Sequence, residues 1–359
     1  VTAPERLTLT RPDDWHLHLR DGDVLGDVLS HTARQFARAI VMPNLKPPVT
    51  TAELARAYRA RIQAALPAAL AFDPLMTLYL TDDTPPEEIR RAKTSGFIHG
   101  VKLYPAGATT NSASGVTSLE RCAKALEAMQ EVDLPLLVHG EVTHAGVDVF
   151  DRERMFIDSV LEPTRRRFPA LRLVFEHITT REAVDYVRQC VGKSRVDGPI
   201  VGATVTAHHL LFNRNALFLT PRGQTGMRPH FYCLPVLKRE VHREALLGAA
   251  TSGDARFFLG TDSAPHPRGD KENDCGCAGC FTAASAMEMY AAAFESTGAL
   301  DRLEAFASFH GADFYGLPRN RETVTLERSQ WTLPNELKFG ASTVVPLAAG
   351  EPLAWKWIG

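Results

Sequence analysis

The chain has 359 residues, 40 Lys plus Arg against 42 Asp plus Glu, a net charge of −2, 45% hydrophobic residues, 13 His and 6 Cys. At about 150 residues per domain this length allows two domains, but α/β barrels of roughly 250 residues form single units, so one large domain with additions is equally allowed. The balanced charge gives no general attraction to nucleic acid or to an anionic membrane, both of which demand a basic excess, and it points to a small-molecule substrate.

The opening residues carry no apolar stretch of signal-peptide type, and no window approaches about 18 uninterrupted apolar residues, so neither a signal peptide nor a membrane span is expected and the expected location is the cytoplasm. Three of the cysteines stand together in Cys275-Gly-Cys277-Ala-Gly-Cys280 and the others are scattered. Free thiols or a metal site fit such a chain better than a disulfide framework.

In chain order, short apolar runs at 15–19, 38–42, 75–80, 100–104, 135–139, 171–177, 200–205 and 256–261 predict strands. Between them apolar residues recur three or four apart, as at Leu54, Tyr58, Ile62 and Leu66 or at Leu119, Cys122, Leu126 and Met129, which predicts helices with one buried face. The pairs Thr50/Glu53, Thr84/Glu87, Thr117/Glu120 and Thr179/Glu182 match the capping box that opens a helix, and Pro85 and Pro86 suit a first turn. Most strands are continuous apolar runs, as parallel strands covered on both faces are. Eight such units predict an α/β fold of (β/α)₈ barrel type, a single domain over 1–359 with its barrel at about 13–315, an N-terminal extension, long βα loops and a C-terminal tail at about 316–359 packed on the barrel. A doubly wound open sheet is the alternative, but no GxGxxG or P-loop supports it. The stretch 192–235, rich in Gly, Pro and Arg, predicts an extended loop after the seventh strand.

A barrel of this kind carries its chemistry at the C-terminal ends of its strands. The polar residues there are His16 with His18, Asn44, Asp82, Lys102, His139, His177, Thr206 with His209, and Asp262. His16 and His18 are two apart on one strand and can approach one ion together. Each histidine taken singly suits a satisfied core residue, but His139, His177 and Asp262 on the same rim make a metal centre the better reading. Lys102 has no lone pair to offer while charged. It either pairs with a carboxylate or, if burial leaves it neutral, adds CO₂ to give a carbamate with two anionic oxygens.

The stretch Trp15-His-Leu-His-Leu-Arg-Asp21 resembles the His-x-His strand of the amidohydrolase superfamily. Further stretches narrow the resemblance to the dihydroorotases, in particular the short single-function bacterial type. They are Val41-Met-Pro-Asn44, Val101-Lys-Leu-Tyr-Pro105 with Ala108-Thr-Thr-Asn111, Leu137-Val-His-Gly-Glu141, Phe175-Glu-His-Ile-Thr-Thr180, Arg228-Pro-His-Phe-Tyr-Cys-Leu-Pro235 and Gly260-Thr-Asp-Ser-Ala-Pro-His266. The resemblance implies two zinc ions bridged by N6-carboxylated Lys102 and a hydroxide, with His16, His18 and Asp262 on one ion and His139 and His177 on the other. It implies the reversible cyclisation of N-carbamoyl-L-aspartate to L-dihydroorotate in pyrimidine synthesis, the hydroxide acting as nucleophile in the hydrolytic direction and Asp262 as general base and acid. It also implies a substrate grip by Arg20, Asn44 and His266, ring contacts from backbone groups of Leu234 and Ala278, a lid bearing Thr109 and Thr110, and a homodimer.

Residues taken alone allow blander roles: a surface ion pair for Arg20 and a turn for Asn44. A hydantoinase or dihydropyrimidinase-like cyclic amidase shares the metal set but has no need of a carboxylate grip. A catalytically dead barrel would be expected to have lost ligands. A zinc deaminase would need a Pro-Cys-x-x-Cys that Asp274-Cys275 does not supply. The chain departs from the resembling sequences at Ala207 and His208, where those carry Pro and Gln, and in longer loops at 192–199 and 217–227.

Overall fold

A computed structural model of the chain describes residues 5–192, 198–220, 223–274 and 276–359. In chain order its elements are β1 (Arg6–Thr10), β2 (Asp14–Leu17), α1 (Leu25–Gln35), β3 (Arg38–Val41), α2 (Ala52–Ala65), β4 (Asp73–Tyr79), α3 (Pro86–Thr94), β5 (Ile98–Leu103), α4 (Ala123–Val132) and β6 (Leu136–Val138). Then follow α5 (Arg152–Phe156), which runs through a π-helical turn into α6 (Glu162–Arg167), β7 (Leu173–Phe175), α7 (Arg181–Gln189), β8 (Val201–Val205), α8 (Ala207–Leu211), α9 (Glu240–Ala250), β9 (Phe257–Leu259), α10 (Arg268–Lys271), α11 (Ala286–Glu295) and α12 (His310–Tyr315). The chain ends in β10 (Thr323–Thr332), β11 (Leu337–Phe339), β12 (Ser342–Val344) and β13 (Pro352–Trp357).

Strands β2 to β9 form one eight-stranded sheet in sequence order, and each neighbouring pair is parallel. The first and last strands meet through His18 N donating to Ser263 O at 3.1 Å and Asp262 N donating to His16 O at 2.9 Å, so the sheet closes into the expected barrel. Side-chain alternation decides what fills it. Ile40, Leu75, Leu137, Val174 and Phe258 turn inward and pack with Trp15 and with Phe314 and Tyr315 of α12, while their neighbours Val41, Val138, Phe175 and Leu259 face the helices. The large Leu137 and Phe258 fit because Gly100 and Gly202 stand beside them; a Cβ there would lie 2.9 and 2.7 Å from their side chains. Two residues further along the strands the inward layer turns polar: Thr77, Lys102, His139, Glu176 and Thr204, all buried.

The predicted caps shift. Thr51 and Thr180, not Thr50 and Thr179, cap their helices, accepting from Leu54 N at 3.2 Å and Ala183 N at 3.1 Å. That places Glu53 and Glu182 at the second helical position, and a carboxylate from elsewhere serves instead: Glu88 Oε1 accepts from Ala52 N at 2.6 Å and Glu153 accepts from Thr179 N at 2.9 Å. Thr84 is not a helix cap, and Thr117 donates to Asp82 well before α4 begins. Asp82, read as a rim residue, is thereby occupied with Thr117 and Arg121.

The tail is more ordered than its pattern suggests. Strands β10 and β13 join β1 in a three-stranded antiparallel sheet, and β11 and β12 form a hairpin. Trp355, fully buried, anchors this sheet, its Nε1 donating to Glu295 Oε2 of α11 at 3.1 Å. Of the extended loop predicted at 192–235, residues 193–197 and 221–222 lie outside the described residues.

Candidate active site

Pairing of β2 with β3 slips between Asp14 and Leu17, and this sends His16 into the barrel after Trp15. His16 Nδ1 lies 2.8 Å from Glu176 Oε2, and His18 Nδ1 lies 2.8 Å from Asn44 Oδ1. An imidazole that donates from one nitrogen keeps a lone pair on the other, so both residues present Nε2 to the pocket. Asp262 Oδ1 stands 3.4 Å from His16 Nε2 and 3.2 Å from His18 Nε2. These three buried groups bring one donor atom each within 4.8 Å of one another, as one metal ion requires.

His177 and His139 complete the cluster, the His177 ring lying 4.8 Å from that of His16 and 4.9 Å from that of His139. His139 Nε2 is held 2.9 Å from Glu141 Oε2, which leaves Nδ1 as its free lone pair. Alternation would turn His177 away, because its neighbour Glu176 occupies the inward position. A left-handed backbone at His177, φ +39°, brings it to the rim, and Asp262 has the same departure at +45°. Non-glycine residues adopt that region at a cost of about 1–3 kcal/mol, and such strain gathers at functional sites.

Lys102 sits under these ligands, fully buried, and its Nζ has no hydrogen-bond partner among the described residues. Burial lowers it to about 8, so the neutral amine is within reach near neutral pH. Burial likewise raises Glu176 to about 8, against the attraction of Lys102. Burial and the nearby Lys102 hold His16 and His177 well below the usual imidazole range, in the neutral form a ligand needs. His177 Nδ1 is also without a partner among the described residues. An orphaned amine and an orphaned imidazole nitrogen beside a His/His/Asp triad fit a metal centre; a closed hydrogen-bond network would have satisfied them.

The expected substrate residues other than His266 line the same small pocket, which is bounded by His16, His18, Arg20, Asn44, Thr109, Thr110, His139, His177, Leu234, Asp262 and Ala278. Arg20 donates from Nε to Pro265 O at 2.8 Å and places a terminal nitrogen 2.9 Å from His266 Nε2. His266, pushed down to about 2 by burial and by Arg20, is neutral, and its Nε2 also lies 2.9 Å from Ala278 O. Asn44 is tied to the loop over the pocket: its Nδ2 donates to Thr110 O at 3.1 Å, and Thr110 Oγ1 donates to Ala278 O at 3.2 Å.

Sequence reading missed several contributors. Tyr104 lines the pocket, its ring 5.2 Å from Lys102 Nζ. Asp14 accepts from His16 N, Thr261 N and Thr261 Oγ1, joining the first and last strands below the triad. Lys271 donates to Tyr232 O, Cys277 O and Gly279 O at 2.8, 2.6 and 2.8 Å, and so binds together the loops that carry Leu234 and Ala278. Strand parity with Lys102 and His139 was the available signal for Glu176; nothing local marked Lys271. Cys277 and Cys280 are reduced thiols, and Cys275 lies outside the described residues.

Residues 13–326 match the model of the amidohydrolase family. The dihydroorotase of Cupriavidus pinatubonensis is 69% identical over 352 residues, 98% of this chain and 99% of that protein. The chain belongs to the dihydroorotases of the amidohydrolase family. Among solved dihydroorotases, the Campylobacter jejuni structure superposes with a TM-score of 0.87 at 35% identity, covering 100% of this chain and 99% of that one. The Saccharomyces cerevisiae dihydroorotase, solved with 5-fluoroorotic acid, gives 0.87 at 31% identity and 99% coverage of both chains. Closure of β2 against β9 and the His16, His18 and Asp262 triad are therefore features of a dihydroorotase barrel.

Proposed function

We propose that the chain catalyses the reversible cyclisation of N-carbamoyl-L-aspartate to L-dihydroorotate plus water, the ring-forming step of pyrimidine synthesis. One observation carries this most directly: Arg20, with His266 beside it, belongs to the same small pocket as His16, His18 and Asp262. A half-buried guanidinium there supplies the fork a substrate carboxylate needs. Cyclic amidases acting on hydantoins or dihydropyrimidines have no such carboxylate to hold.

As cofactor we propose two zinc ions: His16, His18 and Asp262 would hold one, His139 and His177 the other, and N6-carboxylated Lys102 would supply anionic oxygens to both. Such a pair, when bound, polarises a carbonyl and lowers the pKa of a water. Lys102 in its neutral form adds CO₂, its nitrogen releasing a proton as the N–C bond forms. In hydrolysis Asp262 takes a proton from the attacking water and passes it to the departing ring nitrogen; in closure it takes the ureido proton. Arg20, Asn44 and His266 hold the carboxylate, backbone groups of Leu234 and Ala278 align the ring, and the loop with Thr109 and Thr110 closes to exclude water. No described helix is long and apolar enough to cross a membrane; a cytoplasmic homodimer acting on a small molecule, not on nucleic acid, completes the reading.

The test is hydrolysis of L-dihydroorotate by the zinc-loaded protein, followed by ultraviolet absorbance, with ring closure of N-carbamoyl-L-aspartate as the reverse assay. Saturable turnover in both directions is expected. Zinc-loaded protein that leaves dihydroorotate untouched contradicts the proposal.

A further inference from the structure

The departure at Ala207 and His208 lies in a second cluster of ligating groups, at the end of β8 and beside the His16, His18 and Asp262 triad. His208 and His209 open α8 behind the cap residue Thr206, and their rings lie 4.5 Å apart. Cys233, on the loop before Leu234, brings its sulfur to them: one donor atom from each of the three falls within 4.8 Å of the others, and all three residues are buried. Cys280 neighbours Cys233 outside this three-residue group, and Cys233 Sγ donates to Pro235 O at 3.3 Å.

The decisive feature is His208. It is 1% exposed, and neither Nδ1 nor Nε2 has a hydrogen-bond partner among the described residues. A buried polar atom left unsatisfied is destabilising, and here a single ring carries two. An apolar or amide side chain in its place would avoid that cost or find partners, so an imidazole here asks for a ligand. His209 is prepared in the way ligating histidines are: Nε2 lies 3.1 Å from Pro235 O, which fixes that nitrogen as the donor and leaves Nδ1 with the lone pair, now 2.7 Å from Thr206 Oγ1. Metal–ligand bonds of about 2.0–2.3 Å bring tetrahedral donors to roughly 3.5 Å apart, a contraction that side-chain rotation can supply from the present spacing.

We propose that His208, His209 and Cys233, with Cys280 as the neighbouring thiol, form a second metal site that takes one borderline-soft cation of the Zn²⁺ class, distinct from the His16, His18 and Asp262 triad. Binding forms nitrogen and sulfur bonds to the ion and releases the Cys233 thiol proton to solvent; no electron is transferred. The ion ties α8 to the loop that carries Leu234. This site differs in kind from the rim, whose donors are nitrogen and oxygen alone.

Sulfur ligation gives the test, and it does not depend on which reaction the rim performs. Metal-free full-length protein titrated with Co²⁺ should develop a near-ultraviolet sulfur-to-cobalt charge-transfer band that saturates with one Co²⁺ per chain bound beyond those taken by the rim, and His208→Gln and Cys233→Ala should each lose that band. A wild-type titration without the band overturns the site, and so does a band that survives undiminished in His208→Gln, since the thiolates at 277 and 280 would then be its source. Crystals of the unaltered protein soaked in Zn²⁺ give a reading that needs no variant. An anomalous peak among His208, His209 and Cys233 is expected; peaks at the rim alone contradict the proposal.

Discussion

The rim of the barrel and the terminal sheet are built on opposite terms. At the rim, Lys102 Nζ, Tyr104 Oη, His177 Nδ1 and one oxygen each of Glu141 and Glu176 are buried without partners among the described residues, and Arg20, His177 and Asp262 hold left-handed backbone angles. In the terminal sheet, β1, β10 and β13 pair along their lengths, Arg6 meets Glu327 at 2.9 Å, Arg328 pairs with Glu295, and Trp331 Nε1 donates to Trp355 O at 2.6 Å. The first region is under-satisfied because its groups are aimed at ligands; the second is satisfied because its work is to hold the chain together. Substitutions should therefore separate, the rim losing chemistry and the sheet losing stability.

Lys102→Met is the strongest challenge to that separation. It removes a buried, unpartnered amine and leaves a side chain of similar length, so dihydroorotate turnover should fall by at least about 10³-fold together with bound metal, while the metal-free protein becomes more stable by about 1–3 kcal/mol. Denaturation of both apo proteins checks it, and an apo variant less stable than wild type would break the contrast. In the terminal sheet, Trp355→Ala should cost about 3–5 kcal/mol through the cavity it leaves. Its kcat per folded molecule should stay at the wild-type value, as active-site titration alongside the denaturation curve will show.

Arg20→Lys sharpens the comparison within the rim. A point charge replaces a planar fork, and kcat/KM for dihydroorotate should drop by about 10²-fold with little change in melting temperature. The smallest effect is expected at Glu288 of α11, whose Oε1 accepts from Trp357 N at 3.2 Å while Oε2 is without a partner among the described residues. Burial raises this carboxyl from 4.5 to about 6. The folded state then holds a proton that the unfolded chain has released, so this group's contribution falls as pH rises from about 4.5 to 6, by about 2 kcal/mol, and stays low above that. Glu288→Gln should flatten this part of the stability–pH curve and gain most at neutral pH; equal pH profiles for variant and wild type would refute the assignment.

The sequence announced the barrel because parallel strands buried on both faces read as apolar runs, and all eight predicted segments hold a strand. It announced the rim because strand ends are local features: His16, His18, Lys102, His139, His177 and Asp262 each close such a run. Its failures were of two kinds. Partnerships distant in sequence were invisible, so Glu88 at the head of α2, Lys271 beneath the substrate loops and the pairing of β1 with β10 had no local sign. Offsets of a single residue also escaped, because Thr50-Thr51 and Thr179-Thr180 each offer two adjacent caps, and the packing of the helix chooses between them. His177 shows the same limit: period-two alternation turns it outward, and only its backbone angle restores it.

The most direct test of the central claim is the ratio of kcat/KM for L-dihydroorotate to that for dihydrouracil, a ring of the same kind without the carboxylate, measured in wild type and in Arg20→Ala. A pocket built around a half-buried guanidinium should favour dihydroorotate by about 10³-fold or more, and the substitution should erase most of that preference. Equal turnover of the two rings by the wild type, or a preference that survives the loss of Arg20, would contradict the account.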